Sequence, residues 1–311
     1  MHCLAHFVFT DPSAPPMIPP AVYLRSLALI ALYRLLPPRR AVSIAAGASR
    51  VNLGLRPRRR ELIAGLLKPF VPEAMSPREL ERYAAMSRTI RHIGARTYAP
   101  VFRRTREWLG RALRPEGLEH LEEVKRTGGA IIVSTHAGCT EWVGPVLRQL
   151  GYPLRLVQRR HVAPETLILM RWEGVVGQVL PYPEPREAGV HLKTVYDVVK
   201  GGAWVHHPGD YPDRVNGLKG RYLGCDVRCA RAPWILARLT GRPAMPALIL
   251  MDANLEPKLF IGEPIRVAMQ GDAKEAMSAA FQTYLDFASA RVSQMPWNLS
   301  PHHRAHLIPD A

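Results

Sequence analysis

The chain is poor in aromatics, poor in cysteine and, in its first third, nearly without acid. Phe, Trp and Tyr make up 7% of its 311 residues, which argues against a surface that stacks nucleic-acid bases on interleaved rings. The four cysteines, Cys3, Cys139, Cys225 and Cys229, form no framework of close pairs. A single C-x3-C at Cys225 and Cys229 lacks the second pair of a zinc site, so no metal is expected, and reduced thiols in a protein facing the cytoplasm fit best. There is no Gly-x-Ser-x-Gly elbow, which argues against a hydrolase working through an acyl-serine. Neither a P-loop nor a dinucleotide-binding glycine pattern occurs, and no secretory signal is evident at the N-terminus. Long apolar runs are missing too. Ala21 to Leu36 is strongly apolar, but it contains Arg25 and Arg34 and ends at Pro37-Pro38. A bilayer span needs about 20 apolar residues, so an interfacial or shallowly inserted helix is expected here, with an ordinary buried helix as the alternative.

What is present is apolar content of 47%, enough for a substantial core, and a net charge of +16. The charge is concentrated in one region. Residues 1–114 hold 20 Lys and Arg against 6 Asp and Glu, whereas residues 115–311 hold 22 against 20. Abundant arginine alone does not explain that asymmetry, and a basic block of this kind attracts a polyanion, either nucleic acid or an anionic membrane. The chain therefore divides into an irregular, Pro-rich stretch 1–20, a basic helical region 21–114 suited to membrane docking, and an α/β core 115–311. Arg39-Arg40, then Arg56, Arg58, Arg59 and Arg60, form two basic clusters beside the apolar helix 21–36, as a two-signal membrane attachment would need, and Ser76-Pro-Arg-Glu79 reads as a capping box opening a helix to about Ala95. From residue 115 helices alternate with short apolar strands: strands at 130–134, 154–158, 203–206 and 244–251, and helices at 118–126, 141–150, 164–179, 191–200, 232–240 and 274–291. An edge hairpin is expected from 259–261 and 265–267. This alternation implies a layered mixed sheet flanked by helices.

The chemistry concentrates at Gly129-Ala-Ile-Ile-Val-Ser-Thr-His136-Ala-Gly-Cys-Thr-Glu141-Trp. A His-x4-acid spacing is weak by itself, since His6 and Asp11 share it in a Pro-flanked stretch with no strand before them. His136 instead follows an apolar β-branched run, and sites in open α/β sheets lie beyond the carboxyl ends of strands. Ala137-Gly138 permits close approach of a ligand, and a helix starting near Cys139 offers free N–H groups to a developing oxyanion. Glu141, one turn into that helix, is expected to hold the imidazole while His136 takes a proton from an acceptor hydroxyl. Cys139 is expected to pack rather than react. The pair His206-His207 has no assigned role beyond structure.

Several ordered blocks resemble the lipid A late (lauroyl/myristoyl) acyltransferases of the lysophospholipid acyltransferase superfamily. They are Glu116-Gly-Leu-Glu-His-Leu-Glu-Glu, the His136-x4-Glu141 stretch, Gly209-Asp210-Tyr211, Gly220-Arg-Tyr-Leu-Gly224, Ala230 to Pro246, and Met295-Pro-Trp-Asn. The chain departs from that family's pattern at the Asp-centred loop, here His206-His207-Pro-Gly-Asp210-Tyr-Pro-Asp, and at Tyr222-Leu223 in place of Phe-Phe. The resemblance implies a glycerolipid-acyltransferase-like fold and a membrane-associated O-acyltransferase at the cytoplasmic face of the bacterial inner membrane. It implies acyl carrier protein or coenzyme A thioester as co-substrate, no cofactor, and a glycolipid hydroxyl as acceptor. His136 would be base and Glu141 its partner, Arg171 the match to a family arginine, Arg159 and Arg160 phosphate holders, and Asp210 a group positioning the acceptor. The competing expectations are a basic nucleic-acid-binding protein and a catalytically inactive relative that only binds lipid.

Overall fold

The structure, a computed structural model, describes residues 38–96, 115–159, 179–182, 188–213 and 215–300, with a few isolated positions outside these ranges. The expected apolar helix at 21–36 and the expected helix over 164–178 lie outside the described residues.

Three N-terminal helices each begin at a proline: α1 (Pro38–Gly54), α2 (Pro57–Leu67) and α3 (Pro77–Arg96). Proline's fixed φ suits the first helical turn, where its missing N–H is no loss. In the sequence Pro37-Pro38 reads only as a stop, but Pro38 starts a helix. The capping box forms as expected. The Ser76 N–H and hydroxyl donate to Glu79 Oε2 at 3.0 and 2.7 Å, and the Glu79 N–H donates to Ser76 Oγ at 3.3 Å.

Beyond these lie α4 (Leu118–Thr127), β1 (Ile131–Ser134), α5 (Thr140–Gln149), β2 (Leu154–Arg159), β3 (Val179–Tyr182), α6 (Ala188–Lys200) and β4 (Trp204–Pro208). The hairpin β5 (Leu218–Tyr222) and β6 (Cys225–Cys229) follows, then α7 (Ala232–Thr240), β7 (Ala244–Met251), β8 (Pro257–Ile261) and α8 (Ala273–Gln294). The chain is thus α/β, with a mixed sheet flanked by helices. Among the described residues the sheet order is β3-β2-β4-β1-β7-β8. Its first five strands are parallel, and β8 closes the edge antiparallel to β7.

Two expectations need correction, and one hairpin was not anticipated. Val179 begins a strand rather than ending a helix. The hairpin expected between 259–261 and 265–267 does not form: β8 pairs with β7 instead, and Ile265 bridges back to Ala244. The β5–β6 hairpin has no sequence signal, because its turn places Leu223 at φ 50° and Gly224 at φ 82°. Two positive φ values define a turn in which Asn-Gly or Asp-Gly is the usual cue, and Leu there is a poor one.

The period-2 alternation of the strands divides the interior into two cores. Ile131, Val133, Val205, Leu248 and Leu250 face the cluster formed with α6, α7 and α8. Ile132, Trp204, Met245, Ala247 and Ile249 face the cluster formed with α4 and α5. All eight residues of β7 are buried, the pattern of a strand covered on both faces. The N-terminal helices share these cores. Ile63, Leu67 and Ala84 join the first, and Val42, Ile90 and Ile93 the second. The basic helices are therefore packed into the α/β unit and not appended to it.

Candidate active site

The register of two parallel strands builds the site. Ser134 at the end of β1 pairs with Pro208 at the end of β4. Two residues past each partner stand His136 and Asp210, so the two side chains emerge side by side at the carboxyl edge of the sheet. His136 Nδ1 donates to Asp210 Oδ1 at 2.7 Å, and the His136 backbone N–H donates to Asp210 Oδ2 at 2.6 Å. The same Oδ2 accepts from the Thr135 hydroxyl at 2.6 Å and lies 3.3 Å from His303 Nε2.

Asp210 is thus the carboxylate that orients His136, in the place expected of Glu141. Glu141 occupies the first turn of α5 and is exposed. Its carboxylate lies over Gly94 of α3, where a Cβ would approach Oε2 to 2.9 Å. It acts on His136 through space, as a charge. The helical geometry explains this. Helix α5 begins only at Thr140 and carries Glu141 toward Gly94 of α3, while the neighbouring strand delivers the Asp210 carboxylate directly to Nδ1.

Asp210 is 3% exposed. Burial alone would raise its pKa, but the charge and hydrogen bond of His136, followed by His303, hold it well below the usual carboxylate range. The His136 side chain is 34% exposed. Burial disfavours its imidazolium and Arg91 adds to that, yet the charge and hydrogen bond of Asp210, with Glu141 behind them, raise its pKa above the ordinary histidine value. With Nδ1–H committed to Asp210, Nε2 is the nitrogen that accepts a proton.

A second histidine backs the pair. Thr135 uses its own proton on Asp210, so its oxygen accepts from His303 Nε2–H at 2.9 Å, and His303 Nδ1 lies 3.1 Å from Ser300 N and 3.0 Å from Ser300 O. His303 is 1% exposed and rests against Tyr222 and Phe70, with ring centroids 5.4 and 6.0 Å apart. A cavity of about 10 Å³ lies behind Asp210, lined by Thr135, Tyr222, Tyr284 and His303. That is about the room one water needs.

The segment 295–300, just before His303, is tied down on three sides. Asn298 Oδ1 accepts from the Met251 N–H at 2.8 Å, and Asn298 O accepts from the Gly138 N–H at 2.8 Å. Ser87 of α3 donates to Leu299 O, Arg91 Nη1 donates to Ser300 Oγ at 2.8 Å, and Tyr83 packs edge-on against Trp297. Met295-Pro-Trp-Asn, noted in the sequence only as an aromatic close, is the start of this strap.

The loop between His136 and α5 is organised differently from expectation. The Gly138 and Cys139 N–H groups do not face the mouth; they donate to Asn298 O and Ile249 O, each at 2.8 Å. Gly138 has φ 66°, and a Cβ there would lie 2.1 Å from Ile249 O. The glycine is required by the close crossing of β7, not by a ligand. The Thr140 hydroxyl closes the turn by donating to Thr135 O. Cys139 is fully buried, and its thiol is pushed well above its ordinary pKa by burial and then by Glu141, which suits the packing role expected of it.

Arg159 ends β2, on the same edge of the sheet. Arg160 and Arg171 lie outside the described residues. His206 and His207 are buried in β4. His206 Nε2 pairs with Ser134 Oγ at 2.7 Å, and burial, with the neighbouring histidines, pushes its pKa down to about 3. Among the described residues no group of three His, Cys, Asp or Glu side chains is arranged to hold a metal, and no helix is long and apolar enough to cross a membrane. Sequence reasoning missed Thr135, His303 and Arg91 as site residues. Thr135 adjoins the motif, but His303 and Arg91 carry no local signal and reach the site only through tertiary packing. No protein-family model and no curated protein matches the chain.

Proposed function

We propose that this protein is a membrane-associated O-acyltransferase that moves a fatty acyl chain from an acyl carrier protein or coenzyme A thioester to a hydroxyl of a glycolipid. The observation that carries the reading is the 2.7 Å contact between His136 Nδ1 and Asp210 Oδ1 at the carboxyl edge of β1 and β4. A buried carboxylate on Nδ1 fixes the tautomer in which Nε2 is basic. Nε2 then takes the proton of the acceptor hydroxyl as its oxygen attacks the thioester carbonyl. The tetrahedral adduct collapses with formation of the C–O ester bond and cleavage of the C–S bond. The departing thiolate takes the proton back from the imidazolium, and Asp210 stays ionised throughout.

Glu141 and Arg91 bring opposite charges to the mouth, and both act electrostatically on His136. In this reading they set the field around the acceptor, while Arg159, Arg160 and Arg171 hold phosphates of donor or acceptor. The lipid A-like acceptor and the cytoplasmic face of the inner membrane rest on the resemblance of the ordered sequence blocks. The reading needs no metal and no covalent enzyme intermediate. Its test is His136→Ala, assayed for acyl transfer with folding checked by circular dichroism. Loss of ester product at unchanged fold supports the reading, and retained turnover refutes the base.

A further inference from the structure

Helix α1, whose start at Pro38 the proline pair conceals, carries two apolar faces. One faces the core: Val42, Ala45, Ala46 and Ser49 of α1 are buried. The other faces outward. Ile44, Gly47, Ala48 and Val51, then Leu55 one residue past the helix, recur at i, i+3, i+4, i+7 and i+11, the spacing of a single helical stripe. Ile44 is 45% exposed, Val51 64% and Leu55 78%, and Leu62 on α2 is 63% exposed. Isolated exposed leucines are ordinary, but a stripe along one helix is not.

Along α1 and the turn after it the charge has one sign, up to Glu61, the exposed acid beside Leu62. Residues 38–60 contain seven arginines and no acid. Arg40, Arg50, Arg56 and Arg58 are exposed, whereas Arg60 pairs with Glu81 at 3.2 Å. An apolar stripe bordered by Arg40, Arg50, Arg56 and Arg58 matches the depth profile of an anionic bilayer surface, with side chains entering the acyl boundary and guanidinium groups at the phosphates. A protein partner would need a matching acidic rim around an apolar ridge, whereas an anionic membrane supplies both features without further fitting.

We infer that the outward face of α1, continued by Leu55 and Leu62, is a membrane-insertion surface for anionic lipid, distinct from the apolar stretch 21–36. It deepens the membrane-surface part of the proposed function, yet binding can be read apart from chemistry. The test is flotation of the full-length protein with vesicles of phosphatidylcholine containing phosphatidylglycerol, against pure phosphatidylcholine. The wild type floats with the anionic vesicles. A variant carrying Ile44→Asp, Val51→Asp, Leu55→Asp and Leu62→Asp, all at exposed positions, loses more than tenfold in partitioning at unchanged circular dichroism. Arg50→Gln, Arg56→Gln and Arg58→Gln together weaken the anionic preference, by about fivefold per arginine. The variants keep acyl transfer to detergent-dispersed acceptor, so failure of the insertion surface and failure of the acyltransferase reading give different results. Undiminished flotation of the aspartate variant would overturn the inference. So would a wild-type dimer that the same substitutions make monomeric with vesicle binding intact, since the stripe would then seat a second copy of the chain.

Discussion

Replacing Asp210 by asparagine leaves volume and shape nearly unchanged and removes one acceptor. In the native site both carboxylate oxygens accept: Oδ1 from His136 Nδ1–H, and Oδ2 from the His136 N–H and the Thr135 hydroxyl. An amide has one oxygen and one NH₂ group, so one edge must fail. If the amide oxygen keeps the backbone and Thr135, the NH₂ faces Nδ1 and forces the proton onto Nε2, where it blocks the base. If it flips, two donors meet at the His136 backbone at a cost of about 1–3 kcal/mol. The first arrangement avoids that cost and is the expected one. Loss of correctly poised base catalysis then lowers kcat by about 10²–10⁴-fold with little change in KM. The pH profile moves as well. In the proposed mechanism the wild-type acid limb is set by deprotonation of His136 and is expected above the ordinary histidine value, because Asp210 raises it. In Asp210→Asn burial prevails and the limb shifts to lower pH. The assay is steady-state acyl transfer across a pH series, with a thermal melt to confirm folding. An Asp210→Asn variant retaining more than about a tenth of wild-type kcat, with an unmoved acid limb, would refute the assignment of Asp210 as the orienting group.

Glu141→Gln is expected to cost less than about tenfold in kcat, well below Asp210→Asn, because Glu141 influences His136 by charge and not through Nδ1; a larger loss than Asp210→Asn in the same assay would reverse the two roles. His206 is held neutral in the folded chain, with a pKa of about 3. The unfolded chain protonates it below about 6.5, so its contribution to stability is full above that pH and is lost as pH falls from there toward 3. The melting temperature of His206→Gln should therefore fall less steeply on acidification than that of the wild type, and parallel curves would contradict this. Leu223→Asn relieves the positive φ in the β5–β6 turn and should stabilise the protein by about 0.5–1 kcal/mol in urea denaturation; a lower midpoint would show that the packing of Leu223 outweighs the strain. Gly138→Ala forces a side chain into Ile249 O and should leave little folded protein in a solubility assay.

The α/β class, and most of its elements, were legible because the signals are local. Ala232 to Thr240 and Ala244 to Met251 show apolar periodicity bounded by Pro and Gly, and the structure matches those limits. The β5–β6 hairpin was not legible, since a leucine occupies a turn position that normally announces itself with Asn or Asp. Helix α1 was hidden because a proline pair reads equally well as a stop and as a first turn. At the site, His136 was visible as the residue after a buried strand. Its partner was not, because the choice between Glu141 and Asp210 depends on which strand lies beside β1, and pairing across 74 residues leaves no trace in a five-residue spacing. His303 is a more extreme case, brought to Thr135 only by the strap over the end of β7.

The most direct measurement is mass spectrometry of the lipid product formed by the purified protein from an acyl carrier protein or coenzyme A thioester and a hydroxyl-bearing glycolipid. An ester product whose mass gains one acyl chain, formed by the wild type and absent with His136→Ala and with Asp210→Asn, is the predicted result. Equal product from wild type and His136→Ala, or acylation that proceeds unchanged without Asp210, would contradict the account.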